Sequence, residues 1–252
     1  MEDTLLLLDL GNSRLKWARW IDGRLQPGEP LSWREGAFGQ RLEAAWRPLS
    51  PPGAVVASLV GPQAVQERVS DWIADRWGQH LHRVRPRPRG GGLICAYDDP
   101  DQLGADRWAA MVAARRRYPR GSLVVDCGTA LTLDALKGEH HLGGYILPGI
   151  EAQRATLWQG TAIGPRPEAS VVDGEWGTNT RACIELGTVR AVVALIEWAL
   201  ERLQVAGVCD PELVITGGGA PLLLPFLQLE YRLHHNLVLE GIRDCYDQGL
   251  TT

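Results

Sequence analysis

Residues 5–20 read LLLLDLGNSRLKWARW, and residues 122–136 read SLVVDCGTALTLDAL. In the first stretch, the apolar run Leu5 to Leu10 and the run Arg14 to Ile21 are separated by Gly-Asn-Ser and followed by an Asp-Gly turn at Asp22 and Gly23. Two β-type runs joined by turn residues predict a β-hairpin, with Asp9 at the end of its first strand. The second stretch has the same grammar: Ser122 to Val125 ends in Asp126, Gly128 follows, and Leu131 to Leu136 returns. Asp9 aligns with Asp126, Gly11 with Gly128, and Ser13 lies near Thr129, at an offset of 117 residues. An offset of nearly half the 252-residue chain predicts a duplication.

Outward from these hairpins, strands alternate with helical patterns. Gly53 to Val60 is a third apolar run, and a helical pattern extends from Pro62 through Trp77. An Arg-, Pro- and Gly-rich connection covers Val84 to Gly92. Apolar positions at helical spacing span Asp101 to Arg117, with three arginines where they suit a helix C-terminus. Tyr118-Pro119-Arg120-Gly121 breaks that helix and marks a boundary, so the expected domains are 1–118 and 119–252. The second half closes with a long helix from Thr180 to Leu203, a strand at Glu212 to Thr216, the triplet Gly217-Gly218-Gly219 and an apolar helix from Pro221. The expected class is α/β with two similar halves.

Composition excludes several functions. The chain is 45% apolar and 22% charged, as in an ordinary soluble globular protein. Its 26 Lys+Arg against 30 Asp+Glu leave a net charge of −4, which supplies no basic footprint for nucleic acid. The run Leu5 to Leu8 is too short for a signal segment or a bilayer span, so no membrane partner and a cytoplasmic location are expected. Five cysteines, the nearest two 26 positions apart, form no CxxC clip, and the six histidines lack HExxH spacing. Ten tryptophans without a period read as core and interface packing rather than a base-stacking platform.

A strand that ends in Asp and turns through Gly presents a carboxylate and backbone N–H groups at one sheet edge, which suits a metal-bound polyphosphate. Asp and Gly also favour such turns for backbone reasons alone, and the matched repeat is what tips the reading toward phosphate handling. Lys16, on the returning strand, is a cation within reach of a phosphate. The glycine triplet allows close approach of a flat ligand to backbone, although GxGxxG is absent because position 222 is Leu222. Between Tyr97 and Arg107 four carboxylates, a guanidinium and a phenol gather at a loop-to-helix junction. Helix capping accounts for Asp98, Asp99 and Asp101, while Asp106 and Arg107 follow a Gly-Ala pair that leaves room for a ligand.

DLGNSRLK at 9–16, YDDPDQLGADR at 97–107, DCGTALTLD at 126–134, GGYILPG at 143–149, Asn179-Thr180 and TGGGA at 216–220 together resemble type III pantothenate kinase, of the acetate kinase, sugar kinase, Hsp70 and actin superfamily. The resemblance implies a duplicated, two-lobed ribonuclease-H-like (actin-like ATPase) fold and ATP-dependent phosphorylation of pantothenate, the first step of coenzyme A biosynthesis. It places ATP on Asp9, Leu10, Gly11, Asn12, Ser13, Arg14, Leu15, Lys16 and Thr129, with Asp9 near Mg²⁺ and Asp126 on a monovalent cation, K⁺ or NH₄⁺. Tyr97, Gly104, Ala105, Asp106 and Arg107 resemble the pantothenate pocket, with Asp106 as the base that deprotonates the substrate hydroxyl. Thr180 resembles a threonine offered to that pocket by a second subunit, which implies a homodimer with shared active sites. Ser13 stands where threonine is commoner.

Two other classes stay open on the residues alone. One is another small-molecule kinase or phosphatase of the superfamily, against which the GADR segment speaks. The other is an ATP-binding regulatory accessory protein. The apolar face of the 180–203 helix, through Val189, Val192, Val193, Ile196 and Ala199, reads as surface awaiting a second subunit, with burial against its own sheet as the alternative.

Overall fold

The structure, a computed structural model, describes residues 4–160 and 174–252. In chain order its elements are β1 (Leu5–Leu10), β2 (Arg14–Ile21), β3 (Arg24–Pro27), β4 (Leu31–Ser32), α1 (Phe38–Trp46), β5 (Ala54–Leu59), α2 (Gln63–Trp77), β6 (Leu81–Arg83), β7 (Arg89–Gly90), β8 (Leu93–Ile94) and α3 (Ala105–Arg117). There follow β9 (Gly121–Cys127), β10 (Ala130–Lys137), β11 (His140–Pro148), α4 (Ile150–Gly160), α5 (Thr180–Val205), β12 (Glu212–Thr216), α6 (Ala220–Leu223), β13 (Arg232–Leu233) and α7 (Leu237–Asp247). The chain divides into two compact units. One comprises Met1–Pro119, Glu139–His141 and Asn236–Thr252, and the other Arg120–Gly138 and Leu142–His235.

In the first unit the sheet runs β3-β2-β1-β5-β6, with β4 on β2. Strand β1 is antiparallel to β2 and parallel to β5, and it is buried along its whole length. Its period of two sends Leu6, Leu8 and Leu10 into a cluster with Phe38, Leu42 and Trp46 of α1 and Val69 and Ile73 of α2. Trp46 contacts the rings of Trp17, Trp72 and Trp77 at 6.1, 5.4 and 6.1 Å, so these tryptophans are core. Helices α3 and α7 pack against each other and against the sheet. Gly241 permits this approach, because a Cβ there would stand 1.9 Å from the Ala109 carbonyl oxygen. The basic end of α3 completes the contact: Arg116 pairs with Asp244 at 2.5 Å and Arg117 with Glu240 at 2.7 Å. Residues 236–252, placed with the second half on sequence, thus pack in the first unit. The connection 84–92 carries paired backbone: Val84 bridges to Thr251, and Gly91 and Gly92, at φ 62° and 73°, turn β7 into β8.

In the second unit the order is β13-β12-β9-β10-β11. Here β9 is antiparallel to β10 and parallel to β12, as β1 is to β2 and β5, so the repeat extends from sequence to topology. The reading of α5 as a helix awaiting a partner is corrected. Val189, Val192, Val193, Ile196 and Ala199 lie in one buried cluster with Leu123, Val125 and Leu133 of their own sheet. The helix expected from Pro221 ends at Leu223 and passes into a single 3₁₀ turn, Leu224–Phe226, because Pro225 cannot donate the next helical hydrogen bond.

Candidate active site

In the first unit, the cross-strand register sets Asp9 opposite Lys16 on β2 and beside Ser58 on β5. Residues directly opposite in an antiparallel pair share a sheet face, and Lys16 Nζ stands 3.8 Å from Asp9 Oδ2. Asp9 is 6% exposed, so its charge is held largely out of water with the ammonium as counter-charge. The intervening turn is closed by the Gly11 N–H donating to the Arg14 carbonyl at 3.2 Å. It is braced from outside, where Trp33 Nε1 donates to the Gly11 carbonyl and Arg34 Nε to the Asn12 carbonyl. Leu10 and Leu15 turn their side chains fully into the core, which leaves Gly11 to Arg14 and Lys16 as the part of the run that faces outward.

One residue here was not singled out on sequence. Gly61, just after β5, donates its N–H to the Leu10 carbonyl at 2.8 Å, and a Cβ on it would stand 2.6 Å from the Gly11 carbonyl oxygen. It walls the first turn as the glycine triplet walls the second. The signal was available: Gly61-Pro62 follows β5 before a helix, as Gly219-Ala220-Pro221 follows β12.

In the second unit, Asp126 lies opposite Thr132 and beside Thr216. Gly217, at φ 93°, fits against it, since a Cβ there would be 2.4 Å from Asp126 Oδ1 and 2.6 Å from the Cys127 backbone. The Gly219 N–H donates to the Cys127 carbonyl at 2.7 Å, which fastens the triplet to the turn. Thr129 is exposed, and its carbonyl accepts from the Gly149 N–H at 2.9 Å. Burial, with the adjoining Asp126 carboxylate second, pushes the Cys127 thiol up to about 12, so it stays a neutral packing group. Thr180 is exposed at the start of α5, where Asn179 caps the helix by accepting from the Ala182 N–H at 2.9 Å.

The junction before α3 separates its acids by role. Asp99 accepts from the Asp101 N–H at 3.1 Å and from Gln102 Nε2 at 3.2 Å, and so caps a 3₁₀ turn. Asp106, in the first turn of α3, accepts from the Arg107 N–H at 2.8 Å, where the helix N-terminus favours negative charge. Gly104 leaves the carboxylate its place, for a Cβ would be 2.5 Å from Asp106 Oδ1. Arg107 is 7% exposed and donates from Nη1 to the Tyr97 hydroxyl at 2.9 Å. Of the six residues expected to hold the acceptor, Tyr97 and Arg107 are linked by a hydrogen bond between side chains, Asp106 by one to the Arg107 amide, and Gly104 by the space it leaves for Asp106, all within one unit, whereas Thr180 lies in the other. A half-buried carboxylate beside a buried guanidinium and a phenol can take a proton from a hydroxyl and hold an anionic head group.

A family model described as type III pantothenate kinase matches residues 5–202. The chain is 38% identical over 244 residues to a type III pantothenate kinase of Chromobacterium violaceum, covering 94% of this chain and 97% of that one. It is 35% identical over 246 residues to that of Nitrosococcus oceani, covering 94% and 92%. Among solved structures it is similar to a Campylobacter jejuni protein titled a conserved putative Baf family transcriptional activator, with TM-score 0.59, 19% identity and coverage of 96% and 98%. It is also similar to Spiroplasma citri MreB 5 bound to AMPPNP, with TM-score 0.55, 12% identity and coverage of 97% and 96%. These likenesses identify the fold as the duplicated α/β fold of actin-like ATPases.

Proposed function

The chain belongs to the type III pantothenate kinase family, and from that premise we propose that it transfers the γ-phosphoryl group of ATP to the primary hydroxyl of pantothenate, giving 4′-phosphopantothenate for coenzyme A synthesis. The observation that supports this acceptor most is the linked set Gly104, Asp106, Arg107 and Tyr97, which pairs an oriented carboxylate with a buried cation.

In this reading Asp106 accepts the hydroxyl proton as the oxygen attacks, and Arg107 and Tyr97 hold the pantothenate carboxylate and its neighbours. Phosphoryl transfer asks the protein for position and charge neutralisation rather than covalent chemistry. The outward part of 9–16, with Lys16, and Thr129 of the second hairpin serve the ATP phosphates.

Among the described residues no group of three or more His, Cys, Asp or Glu is placed to hold a metal ion by itself. A single strand-end carboxylate fits Mg²⁺, which binds through one or two carboxylates together with substrate phosphates. Asp9 would hold it. Asp126, cradled where a Gly217 Cβ would intrude, fits a monovalent cation, K⁺ or NH₄⁺. When bound, these ions neutralise charge on the phosphates.

A homodimer in which Thr180 completes the partner's acceptor pocket goes with this reading. With the α5 core face covered, its support is the exposure of Thr180 and of the apolar side chains Tyr145, Ile146 and Trp198. A cytoplasmic location goes with it too, and no helix among the described residues is long and apolar enough to cross a membrane. ADP release measured across candidate acceptors tests the function: release dependent on pantothenate is expected, and equal release without it would overturn the reading.

A further inference from the structure

Tyr97 lies on a stretch outside regular structure, and its side chain meets two others. The Arg107 guanidinium donates to its hydroxyl, with the guanidinium carbon 5.8 Å from the ring centre. The second is His141, the second residue of β11, which no motif singled out. The His141 ring is stacked on that of Tyr97 at 6.1 Å with the planes 16° apart, and it is only 4% exposed. Its Nδ1 accepts from the Ala96 N–H at 3.5 Å. Residues Glu139–His141 cluster with the first unit although the rest of β11 does not, and the Ile94 N–H donating to the Glu139 carbonyl at 2.7 Å fastens them there.

A planar buried ring laid against Tyr97 limits the torsions that an irregular backbone leaves open. The Tyr97 hydroxyl in turn aims the Arg107 guanidinium, and the Arg107 amide holds Asp106. We propose that His141 is a positioning residue for the acceptor: its ring fixes the plane of Tyr97 and, through the Tyr97 hydroxyl, the guanidinium of Arg107. The assignment rests on the reading that Tyr97 and Arg107 bind pantothenate. It differs from a packing role in what it moves, because loss of the ring weakens pantothenate binding and leaves ATP binding and the proton transfer at Asp106 nearly intact.

His141→Leu keeps apolar bulk and removes the flat ring, whereas His141→Phe keeps the ring. His141→Leu is expected to raise KM for pantothenate about tenfold, with kcat within threefold and KM for ATP unchanged, and His141→Phe to restore KM to within threefold of the wild type. In a cycle with Tyr97→Phe, which removes the hydroxyl, the two losses should be less than additive. Unchanged pantothenate KM in a folded His141→Leu protein, strict additivity with Tyr97→Phe, or failure of His141→Phe to restore KM would each overturn the proposal. If neither variant folds, His141 serves folding rather than the acceptor, and the proposal falls. Wild-type protein assayed alongside separates the two levels: inactivity on pantothenate overturns the functional reading and this proposal together, while normal wild-type kinetics with unmoved variants overturns the proposal alone.

Discussion

The Cβ that Gly104 lacks would stand 2.5 Å from Asp106 Oδ1, closer than real contacts allow. The atom it would strike is the functional end of a short side chain, so relief comes by moving the carboxylate. Gly104→Ala is expected to lower kcat by about 10²-fold, the scale of a 1 Å misplacement, with KM for ATP held near the wild-type value. Steady-state kinetics in both substrates check this, and wild-type kcat would show that the glycine is only a turn residue.

The two buried thiols set an alkaline limit on stability. Cys127 and Cys245 are each pushed up to about 12, chiefly by burial and then by Asp126 and Asp244. Between about pH 9 and 12 the unfolded chain loses these protons and the folded chain keeps them, so stability is whole below pH 9 and falls as pH rises, by about 1.4 kcal/mol per unit for each thiol. Urea unfolding from pH 8 to 10.5 should show a slope that Cys245→Ala makes shallower. An identical slope in that variant would remove the thiol from the alkaline transition.

Ile196 is wholly buried in the second unit's core. Ile196→Ala is expected to cost about 2–5 kcal/mol in urea unfolding, without changing the oligomeric state. A loss below 1 kcal/mol accompanied by dissociation would instead place this side chain at a subunit contact.

Much of the fold was legible because its punctuation is local. Turns carrying Gly11, Gly23, Gly128 and Gly138 bound β1, β2, β9 and β10, and β12 falls on Glu212–Thr216 as its apolar run and glycine triplet require. What escaped depended on distant partners. Whether the apolar face of α5 meets its own sheet or another chain is absent from its periodicity, which is the same in both cases. The return of α7 rests on Gly241 fitting against Ala109 and on Arg116 meeting Asp244, pairs far apart in sequence. Of the candidate site, the closeness of Gly104, Asp106 and Arg107 was legible because they are near in sequence. The contact of His141 with Tyr97 was not, because the two rings lie 44 residues apart and meet only in the folded chain.

The proposal that active sites are shared between subunits predicts complementation. Asp106→Asn chains and Thr180→Arg chains, each inactive alone, should recover part of the activity after subunit exchange, in the heterodimer pocket that keeps both native residues. Exchange demonstrated without recovery would leave each subunit with a complete site of its own.

The central claim is that the Asp106 carboxylate takes the proton of the pantothenate hydroxyl. Pantothenate-dependent ADP release by Asp106→Asn, measured at saturating ATP beside the wild type, tests it most directly. The variant should keep KM for ATP and lose about 10²–10⁴-fold in kcat, the contribution of a positioned general base. A kcat equal to that of the wild type would contradict the account.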